Sequence, residues 1–94
     1  LTLRGIETLA DEALQRFELM GLLIVHRVGV LRPSEPIVLV CAAGRHRRGA
    51  IDAMDFVMDH LKSDAWFWKR EKRAEGWDWI EPREQDHQDL RRWR

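Results

Sequence analysis

Two of the chain's three lysines, Lys62 and Lys69, lie seven residues apart around a segment that can reverse direction. Lys62 ends a helical pattern and Lys69 closes the aromatic run "AWFWK" (65–69), so a turn between them would bring the two amines together. Nearby ammonium groups repel each other and aromatic neighbours desolvate them, and both effects make a neutral amine more available. Such an amine can accept a proton or act as a nucleophile. The helix dipole alone also explains a lysine at a helix C-terminus, and local spacing favours that simpler explanation.

The segment "GRHRRG" (44–49) stands where an apolar run gives way to a second helical pattern. The first-turn amides of a helix have no partner within the helix, and the helix dipole attracts an anion there. Arg45, His46, Arg47 and Arg48 add positive charge at this point, so a phosphate or carboxylate would be held well. The spacing matches no P-loop or dinucleotide-binding fingerprint, and a solvated basic turn is the simpler alternative.

Four of the five tryptophans lie between residues 66 and 79, among dense charges. Alternation along a strand puts Trp66 and Trp68 on one face, and Trp77 and Trp79 likewise share a face. Four indoles on two neighbouring strands are more typical of a small core or a subunit contact than of a platform for stacking bases.

The composition limits the classes of protein that the chain can belong to. It has 94 residues, 16 basic and 16 acidic, and 45% apolar content, enough for the core of one small domain. A domain that coats nucleic acid usually carries a basic excess, which this chain lacks. One cysteine, Cys41, excludes a disulfide framework and favours a reducing, cytoplasmic setting. His60 and His87 show no metal-ligand spacing with Cys41 or with each other, and His26, inside a predicted strand, is interpreted as a structural histidine.

The hydrophobic pattern predicts the elements that must position these residues. Their order, α-β-β-α-β-β, indicates one α+β domain over residues 1–94, with antiparallel strands and two main helices. The second helix has a predicted buried stripe of Ala50, Met54, Val57 and Leu61. The predicted elements are a helix from Thr2 to about Phe17, strands at 22–31 and 37–43, a helix from about His46 to Lys62, strands at 65–69 and 76–81 around the charged loop 70–75, and a C-terminal short helix or frayed tail.

Short motifs along nearly the whole chain carry a family resemblance. They are "IVHRVG" (24–29), "IVLV" (37–40), "RHR" (45–47), "DHLK" (59–62), "FWK" (67–69), "GWDWIEPRE" (76–84) and the closing "RRW". Taken together in this order and spacing, they resemble the catalytic (large) subunit of molybdopterin synthase, the MoaE family. The resemblance implies that family's α/β hammerhead fold. It begins just before the family's first long helix, so we expect the N-terminal part of the fold to be missing.

The resemblance implies an activity and its partners. The family transfers sulfur from a small ubiquitin-like subunit, which carries a thiocarboxylate on its C-terminal glycine. Cyclic pyranopterin monophosphate receives two sulfurs and becomes molybdopterin, the dithiolene that later holds molybdenum. The resemblance implies no metal or other cofactor for this step, no nucleic acid and no membrane. It also implies a homodimer of large subunits with a small subunit at each end.

The resemblance also implies roles for single residues. Trp66 stands where the family commonly has a proline, which bears on the shape of the pocket. By match of motif, Lys62 and Lys69 fall on the catalytic lysines, His46, Arg47 and Arg83 on substrate-binding positions, and Met58 on a position that lines the substrate pocket.

Distance along the second predicted helix gives an independent reason to expect a dimer. His46 and Lys62 are sixteen residues apart, so about 24 Å separates their backbones at 1.5 Å per residue. That distance is too long for one small-molecule pocket. If both residues serve one site, they come from two copies of the chain.

Two other functions stay open from the sequence. The same fold could serve only in binding or assembly, without catalysis. A small RNA-binding module that uses arginine and stacked tryptophan is the second alternative, and it predicts RNA affinity that falls steeply with salt.

Overall fold

A computed structural model of the chain describes residues 3–27, 29–63, 69–73, 76–80 and 83–93. Helices and strands follow in the order α-β-β-α-β-β-α, which confirms the predicted α+β class and shows the C-terminal segment as a short helix, one of its two predicted alternatives. Within these ranges no helix has the length and apolar character needed to cross a membrane. The elements are α1 (Leu3–Arg16), β1 (Leu19–His26), β2 (Val38–Gly44), α2 (Arg47–Ser63), β3 (Lys69–Arg73), β4 (Gly76–Ile80) and α3 (Glu84–Arg91).

Helix α1 ends where its sequence pattern ends. Glu18 adopts a φ of 51°, a left-handed conformation that stops the helix and turns the chain into β1. The amide of Phe17 still reaches the carbonyl of Ala13 at 3.1 Å, which completes the last turn. Thr2, where this helix was predicted to begin, lies outside the described residues.

Strands β1 and β2 form an antiparallel pair, as predicted, but β1 lies earlier than residues 22–31. The chain leaves the strand after His26, and Gly29 has a φ of 99°, which a continuing strand does not allow. A reverse turn follows, in which the amide of Glu35 bonds to the carbonyl of Arg32 at 3.2 Å. The salt bridge between Arg27 and Glu35, at 3.2 Å, closes the base of this connection.

The two faces of the β1–β2 sheet have different surroundings. Leu22, Ile24, Val38 and Val40 point toward the helices and pack against the core. Alternate residues point the other way, and the exposed apolar side chains on that second face are Leu23, Val25 and Leu39. The sheet is therefore packed on one face and apolar on both.

The core forms where α1 and α2 cross the inner face of this sheet. Its buried members are Leu9 and Ala13 from α1 and Phe56, Val57 and Leu61 from α2. Burying these side chains supplies most of the driving force for folding in this part of the chain.

The predicted buried stripe of α2 is partly wrong. Val57 and Leu61 are buried as expected, but Ala53 and Phe56 are buried in place of Ala50 and Met54, which are only half-buried. The helix is rotated because it packs on two sides, against the sheet and against α3. The spacing of apolar residues predicted one buried face of α2, and the contact with α3 buries a wider part of the helix surface than that face.

Strands β3 and β4 form a second antiparallel hairpin with Lys69 opposite Ile80 and Arg73 opposite Gly76. Residues 70–73 were predicted as a loop, and that prediction is wrong. When a short connection joins two antiparallel strands, the residues on either side of that connection pair with each other. Strand β4 (76–80) therefore pairs with residues 69–73, although those residues are charged. Residues 65–68 of the predicted strand lie outside the described residues.

The molecule is longer in one direction than in the others. Its Cα atoms span 49 × 24 × 24 Å, with a radius of gyration of 14.5 Å. A compact chain of this length would have a radius of about 12 Å. Within the described part of the chain, the three helices and the β1–β2 sheet pack together, whereas β3 and β4 pack chiefly on each other.

Candidate functional site

The basic residues before and within the first turn of α2 are all exposed. His46 precedes the helix, and its carbonyl accepts the amide of Ala50 at 3.3 Å, which fixes His46 at the helix start. Arg48 approaches Asp52, one turn later, at 4.0 Å. Arg47 is the first helical residue, so its side chain leaves from the positive end of the helix dipole. This end of α2 therefore has the charge and geometry to bind an anion.

The other end of α2 holds Lys62. Its side chain is exposed, while the next residue, Ser63, is buried. One turn earlier, His60 contacts the ring of Phe56 and its Nδ1 lies 2.9 Å from the Phe56 carbonyl oxygen. Lys69 is the first residue of β3, and its side chain lies outside the described part of the structure. The approach of the two lysine amines therefore stays a prediction.

Arg83 stands immediately before α3 and is its N-cap residue. The carboxylate of Asp86 accepts a hydrogen bond from the Arg83 backbone amide at 2.9 Å, and the same Oδ2 lies 3.7 Å from the Arg83 Nε. The Arg83 side chain is 74% exposed, whereas that of Asp86 is 11% exposed. Arg83 thus has a fixed backbone and a side chain that reaches solvent.

A buried hydrogen bond joins the end of α2 to the start of α3. The hydroxyl of Ser63 donates to the backbone carbonyl of Asp86. Ser63 follows Lys62 directly, and Asp86 contacts Arg83. The structure therefore brings the predicted site residues Lys62 and Arg83 to the same end of the molecule. His46 and Arg47 lie at the opposite end of α2, about 24 Å away along the helix axis.

Met58 lies on the part of α2 that faces the core. It is half-buried and packs against the cluster that contains Leu9, Phe56 and Val57. Its predicted role in lining a substrate pocket stays a prediction, and its observed contacts are with the core.

Sequence reasoning missed two residues that organise this end of the fold, Ser63 and Asp86. A partial signal for Asp86 was present, because an acidic residue three positions after an N-cap commonly accepts the N-cap amide. Ser63 carried no signal, since its partner is 23 residues away. Within the described ranges, no group of three or more His, Cys, Asp or Glu side chains could hold a metal ion.

The sequence is similar to named proteins along almost its whole length. A catalytic subunit of molybdopterin synthase from Ralstonia nicotianae is 45% identical over 93 residues, which cover 99% of this chain and 53% of the relative. The protein of the same name from Caulobacter vibrioides is 51% identical over 89 residues, which cover 95% of this chain and 59% of the relative. The chain therefore spans between about half and two thirds of the length of these relatives.

A solved structure gives the same result for the fold. The molybdopterin biosynthesis MoaE protein from Burkholderia ambifaria superposes with a TM-score of 0.77 at 41% identity, covering 96% of this chain and 62% of that one. The family model described as "MoaE protein" matches residues 1–64, which include α1, the β1–β2 sheet and α2. The chain belongs to the MoaE protein family.

Proposed function

We propose that this protein is a sulfurtransferase of molybdenum cofactor biosynthesis. It takes sulfur from the C-terminal thiocarboxylate of a small ubiquitin-like partner subunit and transfers it to cyclic pyranopterin monophosphate, forming the molybdopterin dithiolene. The observation that carries the proposal is the 45–51% identity, over nearly all of this chain, to proteins named as catalytic subunits of molybdopterin synthase.

Exposed cationic groups at both ends of α2, brought together where two copies share a site, suit two anions. The substrate carries a phosphate, and His46, Arg47 and Arg83 are exposed cationic or hydrogen-bonding groups that can hold it. The thiocarboxylate of the partner is also an anion, and Lys62 and Lys69 are the amines that meet it. One amine positions the tail, and the other either transfers a proton or attacks the thiocarboxylate carbon. In the second case the C–S bond breaks as sulfur passes to the substrate, and water then hydrolyses the resulting amide to return the free amine and a carboxylate tail.

The length of α2 supports a homodimer with shared sites. The helix runs from Arg47 to Ser63, so the groups at its two ends lie about 24 Å apart and cannot touch one small substrate. A site that uses both ends takes His46 and Arg47 from one copy and Lys62 from the other. The assembly is then a dimer of this chain with a small subunit at each end.

The test combines this protein with a thiocarboxylated small subunit and cyclic pyranopterin monophosphate, and measures dithiolene formation. We expect product with the wild type and a loss of at least about a hundredfold in kcat for Lys62→Ala and Lys69→Ala. The third lysine supplies the matched control, since Lys72→Ala removes the same charge from β3, the strand that begins with Lys69. Lys72→Ala should keep wild-type turnover.

Three other outcomes would count against the proposal or a part of it. Unchanged turnover in both Lys62→Ala and Lys69→Ala would remove the catalytic assignment of these residues. A wild-type protein that binds the small subunit and yields no dithiolene would have a role in assembly only. Retention on RNA at low salt that disappears at high salt would favour the RNA-binding alternative.

A further inference from the structure

The link between α2 and α3 is buried and polar, which sets it apart from the other polar contacts of α3. Ser63 is buried, and its hydroxyl donates to the carbonyl of Asp86 across 23 residues of sequence. A buried hydroxyl without a partner is unfavourable, so this bond is maintained whenever the two helices are packed. Glu84 and Arg91, on the same helix, form an ion pair at 3.4 Å whose side chains are 72% and 60% exposed. That pair is an ordinary surface contact, and the Ser63–Asp86 contact is not.

The carboxylate of Asp86 acts on two groups of a single residue. Its Oδ2 accepts the Arg83 backbone amide at 2.9 Å and lies 3.7 Å from the Arg83 Nε. The amide bond fixes where the side chain of Arg83 begins. The Asp86 carboxylate lies on the Nε side of the guanidinium, and the Arg83 side chain is 74% exposed, so most of the guanidinium stays accessible to a ligand.

The two contacts form one chain of connections from Lys62 to Arg83. Lys62 precedes Ser63, Ser63 holds the backbone of Asp86, and the Asp86 carboxylate holds Arg83. The position of Arg83 relative to the end of α2 is therefore set by buried atoms, although Arg83 itself is exposed. An exposed arginine without such a tether must be ordered by its ligand, at about 0.5–1.5 kcal/mol for the lost side-chain freedom.

We propose that Asp86 is a positioning residue that pre-orients Arg83 for the anionic group of the substrate, and that Ser63 holds Asp86 in register with Lys62. The inference rests on the proposed function, because it takes Arg83 as a substrate-binding residue. Asp86 does not touch the substrate. It acts through Arg83 by removing the need to order that side chain on binding.

The kinetic test uses Asp86→Asn, which keeps an acceptor for the backbone amide and removes the charge that faces Nε. We expect KM for cyclic pyranopterin monophosphate to rise roughly three- to tenfold, the range that corresponds to ordering one side chain, with kcat within about twofold of wild type. Glu84→Gln is the matched control, since it removes one carboxylate from the same helical turn and should leave KM unchanged. Ser63→Ala should also raise KM. Ser63→Thr keeps the hydroxyl and should have the KM of the wild type.

A double-variant cycle separates positioning from general damage to the fold. In an Arg83→Ala background, Asp86→Asn should produce no further change in KM, because the group through which it acts is already gone. A general loss of stability would instead lower the fraction of active protein and reduce kcat by the same factor in both backgrounds. An unchanged KM in Asp86→Asn, or effects that multiply in the double variant, would overturn the inference.

An experiment that does not depend on enzyme activity tests this inference separately from the proposed function. Hydrogen exchange at the Arg83 backbone amide, followed by NMR, should be slow in the wild type and in Glu84→Gln. It should be at least about tenfold faster in Ser63→Ala and Asp86→Ala. Equal exchange in all four proteins would overturn the positioning role even if the enzyme is active. Absence of dithiolene formation with the expected exchange pattern would overturn the proposed function and leave the tether between Asp86 and Arg83 established.

Discussion

The indole Nε1 of Trp93 donates a 2.7 Å hydrogen bond to the Oδ2 of Asp59, so the C-terminal segment is bound to α2. The same indole meets the rings of Phe17 and Phe56 edge-on, at 5.7 and 5.5 Å between centroids. The guanidinium of Arg16 lies over all three rings and donates to the Trp93 carbonyl at 3.2 Å. One residue near the end of the chain thereby joins α1 to α2.

Replacing Trp93 should destabilise the whole domain. Trp93→Phe keeps an aromatic ring and removes the hydrogen bond to Asp59, so we expect a loss of about 1 kcal/mol in the free energy of unfolding. Trp93→Ala also removes the ring contacts and should lose about 3 kcal/mol. Urea unfolding followed by circular dichroism measures both. Arg91→Ala, which removes an exposed ion pair two residues away, should change stability by less than about 0.5 kcal/mol. Equal effects of Trp93→Ala and Arg91→Ala would contradict this account.

The two faces of the β1–β2 sheet should respond differently to the same substitution. Val40 packs against the core, so Val40→Thr places a hydroxyl among apolar groups and should lose about 1–2 kcal/mol of unfolding free energy. Leu39, the preceding residue, is 52% exposed, and Leu39→Thr should lose less than about 0.5 kcal/mol. Chemical unfolding of the two variants measures the difference. A larger loss for Leu39→Thr than for Val40→Thr would mean that the outer face is covered in solution.

Gly49, in the first turn of α2, lies close to the backbone of Phe17, the residue that follows α1. A Cβ atom built there would lie 3.2 Å from the carbonyl oxygen of Phe17, which is backbone and cannot move aside easily. Alanine inside a helix normally gains about 1 kcal/mol over glycine. We expect Gly49→Ala to show no such gain, and to be neutral or destabilising. Gly21→Ala, in strand β1, is a control for the added methyl group alone, because nothing lies within 4 Å of its Cβ, and it should be close to neutral. A thermal shift upward for Gly49→Ala would contradict the close approach.

Local patterns were enough to predict most of the elements. The bounds of α2 agree with the sequence to within one residue, because helical spacing and the preceding Gly44 are both local signals. The position of β3 could not be predicted, since its residues are charged and only pairing with β4 makes them a strand. The burial of Phe56 was also missed, because Trp93 lies 37 residues away in sequence.

The candidate site was predictable to a different degree at each end of α2. The basic cluster around His46 and Arg47 follows from residue types alone, and the structure leaves it exposed at a helix start. The contacts that hold Arg83 in place could be predicted only in part, because Ser63 and Asp86 meet only when α3 packs on α2. Motif resemblance predicts which groups would act on a substrate, and long-range contacts determine what holds them in place.

The separation of His46 and Lys62 predicts complementation between two inactive proteins. If each site takes His46 from one copy and Lys62 from the other, His46→Ala and Lys62→Ala are each inactive alone. After subunit exchange in an equal mixture, half of the dimers are mixed, and one of the two sites in each mixed dimer carries neither substitution. Dithiolene formation should therefore recover to about a quarter of the wild-type rate.

The matched control uses two residues at the same end of α2. His46 and Arg47 enter any one site from the same copy, so each site of a His46→Ala/Arg47→Ala mixed dimer carries one substitution, and the mixture should show no recovery. Native mass spectrometry, which separates mixed from parental dimers by the different masses of the two substitutions, verifies that both mixtures contain mixed dimers. Recovery in the first mixture alone means that opposite ends of α2 from two copies complete one site. Failure of both mixtures, with mixed dimers present, would show that His46 of one copy and Lys62 of the other do not complete one site, and would remove the argument for shared catalysis.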